Sequence, residues 1–538
     1  MQNIFMFLIK YKNRITFMFL VISLIFIEES NFIFYDINQS PDFAEYFTYF
    51  THFSNSEIFT LREHGLLYYY IHYISFFLQY GEMPNNSFLI HKVIQQNNFY
   101  IYIFGLIGYY KLLKYLKFRT NSIYLTFIFI NIFPISIIQR IVLKPELLAF
   151  ALLPWILYCI EKYRAERNIT YLYLSLPILI SCLTLKGNVL VIVSIYILLT
   201  NIQTLVSIPR KHLIILLVFF GGLFTLITIE NNLANNKNLL EVQSGATLDE
   251  KYNNKAPANI IYKTNFYNLI TSPVKHDHAN SFIGITLLET SGDYFDLYWD
   301  NDCCNYFKNR RDFLLFEIDE RIVPPKIDFR NKTITIFIQG ETDIYLYERI
   351  GVFVSLAFFY FLIRETFRDK KRRKFYIGIY IGMALLLFHT IFGVPVNNFD
   401  PNIGDTFKPH YYSFVFLLST IFLTIRLVQE NKGGKYFLIL FSLFTIFNIG
   451  LLKNITPDFS DKIEPYLEYS SLCSINQIAY ESIFNIDSLD CALENKNYIE
   501  NIKNYKNFSF KPFNLFILIS TLISIFRLSN FRIYKSKS

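Results

Sequence analysis

Apolar runs separated by short basic turns occupy most of this chain, a pattern that predicts a bundle of membrane-crossing helices. Runs approaching the roughly 20 residues that cross a hydrocarbon core are read at 15–34, 98–114, 121–138, 146–161, 170–185, 188–206, 212–229, 346–364, 375–394, 411–427, 435–452 and 512–528. Basic residues between the runs set the orientation, because short cytoplasmic loops carry an excess of Lys and Arg. They cluster at Lys10, Lys12 and Arg14, at Lys114, Lys117 and Arg119, at Lys162, Arg164 and Arg167, and at Arg210 and Lys211. Others are "RDKKRRK" at Arg368–Lys374, the group Arg426, Lys432 and Lys435, and the tail "RIYKSKS". With all of them inside, about twelve spans result and both termini are cytoplasmic. Parity holds only if Leu66–Tyr80, "LLYYYIHYISFFLQY", does not cross. Its tyrosines and His72 suit an interfacial or re-entrant helix.

The expected fold is therefore an all-α polytopic membrane protein. Its long loops fall on the outer side, at 35–97, 230–349, 395–410 and 453–510. The organisation reads as an N-terminal membrane module at 1–229, a large outer loop at 230–349, further membrane helices at 350–452, a second large outer loop at 453–511, and a last span with its tail at 512–538. Within the first large loop "KTITIFIQG" alternates like a strand, so the outer loops are expected to be mixed α/β. No internal repeat is visible.

Composition agrees. The chain has 538 residues, 53% hydrophobic and 17% charged, a balance that favours lipid over water. The net charge of +8 is not a nucleic-acid signal, because the cations sit in short turns between apolar runs. With 58 Phe and 40 Tyr, no single aromatic residue carries functional weight by its type alone. The first apolar run lacks a small-residue cleavage site and reads as a retained span. Cys303, Cys304, Cys473 and Cys491 fall in outer loops, where a Cys473–Cys491 disulfide could form, whereas Cys159 and Cys182 fall in spans as packing residues.

The candidate chemistry lies at the outer helix ends. "SPDFAEYF" at 40–47 brings Asp42 and Glu45 three residues apart, on one face if helical; Ser40, Pro41 and Asp42 also make a good helix start. Arg140, Lys144 and Glu146 crowd the short turn "QRIVLKPEL", Lys186 sits in "LTLKGNV", and Lys408 and His410 sit in "FKPHYYSF". Charge beside the bilayer is costly and tends to be functional. Lysines and arginines there suit an anionic headgroup such as a phosphate, and a carboxylate among them suits a general base. Snorkelling of each cation to the interface is the bland alternative. The tract His276, Asp277 and His278 has no specific zinc spacing and reads as an exposed loop.

In order, these motifs resemble the integral-membrane GT-C glycosyltransferases, in particular the bacterial dolichyl-phosphate-mannose mannosyltransferase-like and aminoarabinose-transferase-like group. "PDFAEY" is similar to that group's acidic motif after the first span, with Phe43 where an acid is usual. "HGLLYYYI", His64–Ile71, resembles its His-Pro-Pro-Leu-Tyr-Tyr stretch, with Gly65 and Leu66 for the prolines. Glu146 in "LKPEL" looks like its second-loop acid, "LTLKGNV" like its "LTKGP" with Asn188 for proline, and "KPHYYSF" like its late basic-"YYxxP" element. The similarity covers roughly the first 200 residues and the region near 405–420; the large loops match nothing comparable.

The resemblance implies an inverting transferase in the bacterial inner (plasma) membrane. A polyprenyl-phosphate-linked sugar is its donor, and its acceptor is a glycan, lipid or protein at the outer face. Carried over, Asp42 is the base, with Glu146 the second catalytic carboxylate. Arg140, Lys144, Lys186 and Lys408 hold the donor phosphate, and Glu45, Tyr46, His64 and His410 are acceptor-side or supporting candidates. Relatives differ in their need for a divalent metal, so a metal stays open. The rival readings are a transporter or flippase of a lipid-linked saccharide and a non-catalytic membrane assembly protein.

Overall fold

A computed structural model describes residues 12–34, 66–81, 87–141, 143–183, 185, 187–216, 218, 221–222, 258–271, 273, 278, 281–291, 341–392, 409–430 and 432–455. Among these residues all regular structure is helical. The helices are α1 (Lys12–Phe34), α2 (Leu66–Tyr80), α3 (Ser87–Tyr115), α4 (Thr120–Ile132), α5 (Pro134–Ile141), α6 (Glu146–Glu166), α7 (Thr170–Leu183) and α8 (Gly187–Val206). After them come α9 (Phe266–Thr271), α10 (Phe282–Ser291), α11 (Glu341–Arg368), α12 (Arg373–Tyr376), α13 (Gly378–Phe392), α14 (Ser413–Glu430) and α15 (Lys432–Ile455). Two 3-10 turns, Ala258–Ile261 and Pro409–Tyr412, complete the set. The expected strand at "KTITIFIQG", the last span and the Cys473–Cys491 pair lie outside the described residues.

Asn188–Val206 and Arg349–Arg368 are long and apolar enough to cross a membrane, and the bent pair Thr120–Ile132 with Pro134–Arg140 could form a third span. The run read as one span at 121–138 is thus broken, with a 68° bend. Pro134 is the cause. A residue before proline is pushed out of the helical region, and Phe133 takes an extended backbone at φ −66°, ψ 129°. Proline then starts the next helix, where a missing N–H costs nothing. The Phe133 ring fills the bend by packing on Phe441, Phe358 and Phe416 at 5.3, 5.8 and 6.1 Å between centroids.

Cross-helix contacts fix direction. Thr16 donates to Asn121 at 2.8 Å and Asn131 donates to Ser23 at 2.8 Å, so α1 and α4 run parallel. α3 and α6 also run parallel, from Tyr102 on Phe150 to Tyr115, which donates to the Glu161 carbonyl. Two glycines let them close. A Cβ on Gly105 would stand 2.9 Å from the Phe150 ring, and one on Gly108 would stand 2.7 Å from the Trp155 indole nitrogen.

The same contacts sort the charges between two ends. At one end Lys374 pairs with Glu161, Arg426 with Glu365 at 3.4 Å, and Arg372 with Asp369 at 3.4 Å. Arg167, in the left-handed region at φ 56°, ends α6 and donates to Ser207 at 2.6 Å. These are the turns expected in the cytoplasm. Arg140, Lys144 and Glu146 lie at the other end. Along α6 the rise from Glu146 to Glu161 is about 23 Å at 1.5 Å per residue.

Candidate functional site

The site is built where the α4–α5 bend, the 143–145 turn and the Pro409–Tyr412 turn meet. Its first fixed point is Arg140, 2% exposed at the end of α5. Its terminal nitrogens donate to Ser136 Oγ at 3.1 Å and to the Asn131 carbonyl at 3.0 Å, and the guanidinium lies over the Tyr102 ring at 4.8 Å. Tyr102 donates to Asn131 Oδ1 at 2.8 Å. Arg140 therefore reaches back across the bend from α5 to α4, closing the gap that Pro134 opens. A planar fork with several fixed donors suits that task better than a lysine would.

Asn98 is the second fixed point. Its amide donates to the Arg140 carbonyl at 2.9 Å, and its oxygen accepts from the Tyr68 hydroxyl at 2.6 Å. Next to it Asn97 meets His72 Nδ1 at 3.1 Å, and the His72 ring stands edge-on to Tyr68. α2 is thus held against the half of α3 farther from Lys114. Tyr68 also lies close enough to Glu146 to feel its charge.

The third part is the turn itself. Gln139 donates both to the Glu146 carbonyl at 2.9 Å and to Ser413 Oγ at 3.0 Å, tying α5, α6 and α14 together. Lys144 sits with its ammonium 5.9 Å from the Tyr411 ring centroid. Asn188, at the start of α8, donates to the Tyr411 carbonyl at 3.3 Å. Tyr412 packs so closely on Gly382 that a Cβ there would stand 2.7 Å away. Lys144 is 4% exposed and Glu146 is fully buried, so neither snorkels to water.

Four stretches singled out in the sequence therefore converge: "HGLLYYYI" through Tyr68, "LKPEL" through Lys144 and Glu146, "LTLKGNV" through Asn188, and "KPHYYSF" through Tyr411 and Ser413. Asp42, Glu45, Tyr46, His64, Lys186 and Lys408 lie outside the described residues. His410 belongs to the described Pro409–Tyr412 turn, but its side chain does not.

Sequence reasoning missed Glu289. This acid on α10 is 1% exposed and acts electrostatically on Tyr412, so a segment of the stretch 230–349 brings a second buried carboxylate to the same turn. A lone acid in the apolar stretch "FIGITLLETS" was the available signal. Asn98 carried none, since the chain is rich in asparagine. Among the described residues no group of three or more His, Cys, Asp or Glu is placed to hold a metal.

No known family profile, curated protein or solved structure matches the chain.

Proposed function

We propose that the chain is a membrane glycosyltransferase of about twelve spans that moves a sugar from a polyprenyl-phosphate donor to an acceptor at the outer face of the membrane. The observation that supports this reading best is the convergence of four separate stretches on one buried turn that holds a lysine and a glutamate. Transfer needs two things from a protein. The acceptor hydroxyl must lose a proton, and the departing phosphate must be met by positive charge. Asp42 takes the proton, with inversion at the sugar carbon. Lys144 leads the phosphate grip, joined by Lys186 and Lys408. Arg140, whose terminal nitrogens already serve the bend, positions the turn that carries Lys144. Glu146 and Glu289 shape the field around the acceptor. A divalent metal on oxygen ligands is compatible with these carboxylates, and no step depends on one.

One observation favours a second reading. Broken helices lined by polar groups are a feature of transporters, and the α4–α5 break carries Arg140, Asn131 and Ser136. The alternative is a flippase of a lipid-linked saccharide.

A single experiment separates them. The purified chain in nanodiscs is given a synthetic polyprenyl-phosphate sugar and a panel of hydroxyl acceptors. Sugar transfer or donor hydrolysis that is lost in Asp42→Asn supports the enzyme. No cleavage of any donor, together with movement of the donor between leaflets of proteoliposomes, supports the transporter.

A further inference from the structure

The fold sorts five of the six basic residues in Arg368–Lys374 into two sets, while Arg373 donates to the Thr366 carbonyl at 3.0 Å. Arg372 and Lys374 turn inward and pair with Asp369 and Glu161. Glu365 and Asp369, the acids of this turn, are 2% and 7% exposed and are covered by Arg364 and Arg426. Arg368, Lys370 and Lys371 point outward and are exposed. The guanidinium of Arg372 lies 4.3 Å from the Phe118 ring centroid, which joins this turn to the end of α3. That neighbouring turn presents Lys117, in the left-handed region at φ 63°, and Arg119, both exposed. Among the described residues none of these outward cations pairs with a carboxylate. The acids of this turn face in while Arg368, Lys370 and Lys371 face out, so the outer surface of these turns is positive.

We infer that these joined turns form a binding surface for anionic phospholipid headgroups at the inner face of the membrane. The lipid source follows from what lies beside it. Back along α11 from Arg368, Phe367 is 70% exposed, Ile363 47% and Tyr360 60%. An outward apolar face that ends in unpaired cations matches acyl chains below and phosphates above. A dissolved anion or a nucleic acid would leave that apolar face in water. Basic clusters just inside a membrane helix attract anionic lipid for this reason. The inference rests on the helices crossing a membrane and is independent of sugar transfer.

The test uses the full chain in phosphatidylcholine nanodiscs with a minor share of spin-labelled phosphatidylglycerol or, in parallel, spin-labelled phosphatidylcholine. The protein-restricted fraction of each label gives the preference. The parent is expected to favour the anionic label, and high salt to reduce that preference. The triple change Arg368→Gln, Lys370→Gln and Lys371→Gln is expected to reduce it by about fivefold or more, the effect of even one cation near an anionic surface. The change Arg164→Gln, Arg210→Gln and Lys211→Gln removes equal charge at the same end away from these turns and is expected to reduce the preference distinctly less. All these positions are exposed, so folding is spared. No preference in the parent, or equal loss in both triple variants, overturns the inference. So does abolition by millimolar inorganic phosphate at constant ionic strength, which would mark a free-anion site.

Discussion

The Asn98 side chain donates to the Arg140 carbonyl at 2.9 Å while accepting from the Tyr68 hydroxyl at 2.6 Å, so one buried amide joins α2, α3 and α5. Asn98→Leu keeps most of the volume and leaves both partners without this bond. Such orphaned groups cost about 1–3 kcal/mol, read as a lower thermal midpoint in detergent. Tyr68→Phe combined with Asn98→Leu should cost less than the sum of the two, because the single changes break one shared bond. A variant as stable as the parent would show that the amide does not hold the bend.

The α3–α6 contact makes a simpler forecast. A methyl on Gly108 would press on Trp155 and Pro154 at 2.7 and 2.9 Å, against a helix whose Pro154 already lacks an N–H. Gly108→Ala should destabilise by about 1–3 kcal/mol through overpacking. Gly222→Ala, where among the described residues no atom beyond its own helix and chain neighbours lies within 4 Å, should be neutral or mildly stabilising. Equal midpoints for the two variants would refute the close approach.

Much of this was legible in the chain. Apolar period and basic turns gave helix positions closely: Leu66–Tyr80 was read and is observed with the same bounds, and 170–185 and 188–206 appear as Thr170–Leu183 and Gly187–Val206. The break after Phe133 was missed because Pro134 was counted as one residue of an apolar run, although its effect on the preceding residue is local and predictable. Lys144 and Glu146 stand out in the sequence as charge in a short turn between apolar runs, and both are buried. Glu289 was missed because its run sits in a loop, and only tertiary folding carries that loop to Tyr412. Asn98 could not have been found, since a buried amide is told from a surface one only by what packs over it.

Burial at the Glu161–Lys374 end of the bundle has a pH signature. Lys374 is pushed below the ordinary lysine range by burial, an effect only partly offset by Glu161. The unfolded chain, with a lysine near 10.4, then holds the proton over a window in which the folded chain has released it. Stability therefore rises with pH across that window, below about 10.4. The thermal midpoint of the parent should climb more steeply toward alkaline pH than that of Lys374→Met, whatever the offset between them. Parallel curves would show that this lysine does not titrate differently on folding.

Lys144 and Glu146, two residues apart in one buried turn, should fail in different ways if the chain transfers sugar. Lys144→Met removes a charge from the phosphate grip. A lost charge-assisted bond costs about 1.5–3 kcal/mol, which is roughly tenfold to a hundredfold weaker donor binding. Glu146→Gln keeps the shape and removes the negative charge. Because Glu146 shapes the field around the acceptor while Asp42 takes the proton, turnover should fall with donor affinity largely kept, by less than the about 10²–10⁴-fold expected for Asp42→Asn. Glu166→Gln, in an exposed i,i+4 pair with Lys162 at the far end of the same helix, should change neither. Titration of a fluorescent polyprenyl phosphate gives the affinities, and release of labelled sugar gives the turnover. A flippase predicts another pattern, in which Lys144→Met and Glu146→Gln both slow donor movement and no donor is ever cleaved. Transfer that proceeds at the parental rate in Glu146→Gln would remove this carboxylate from the chemistry and leave Asp42 and Glu289 as the acids to test.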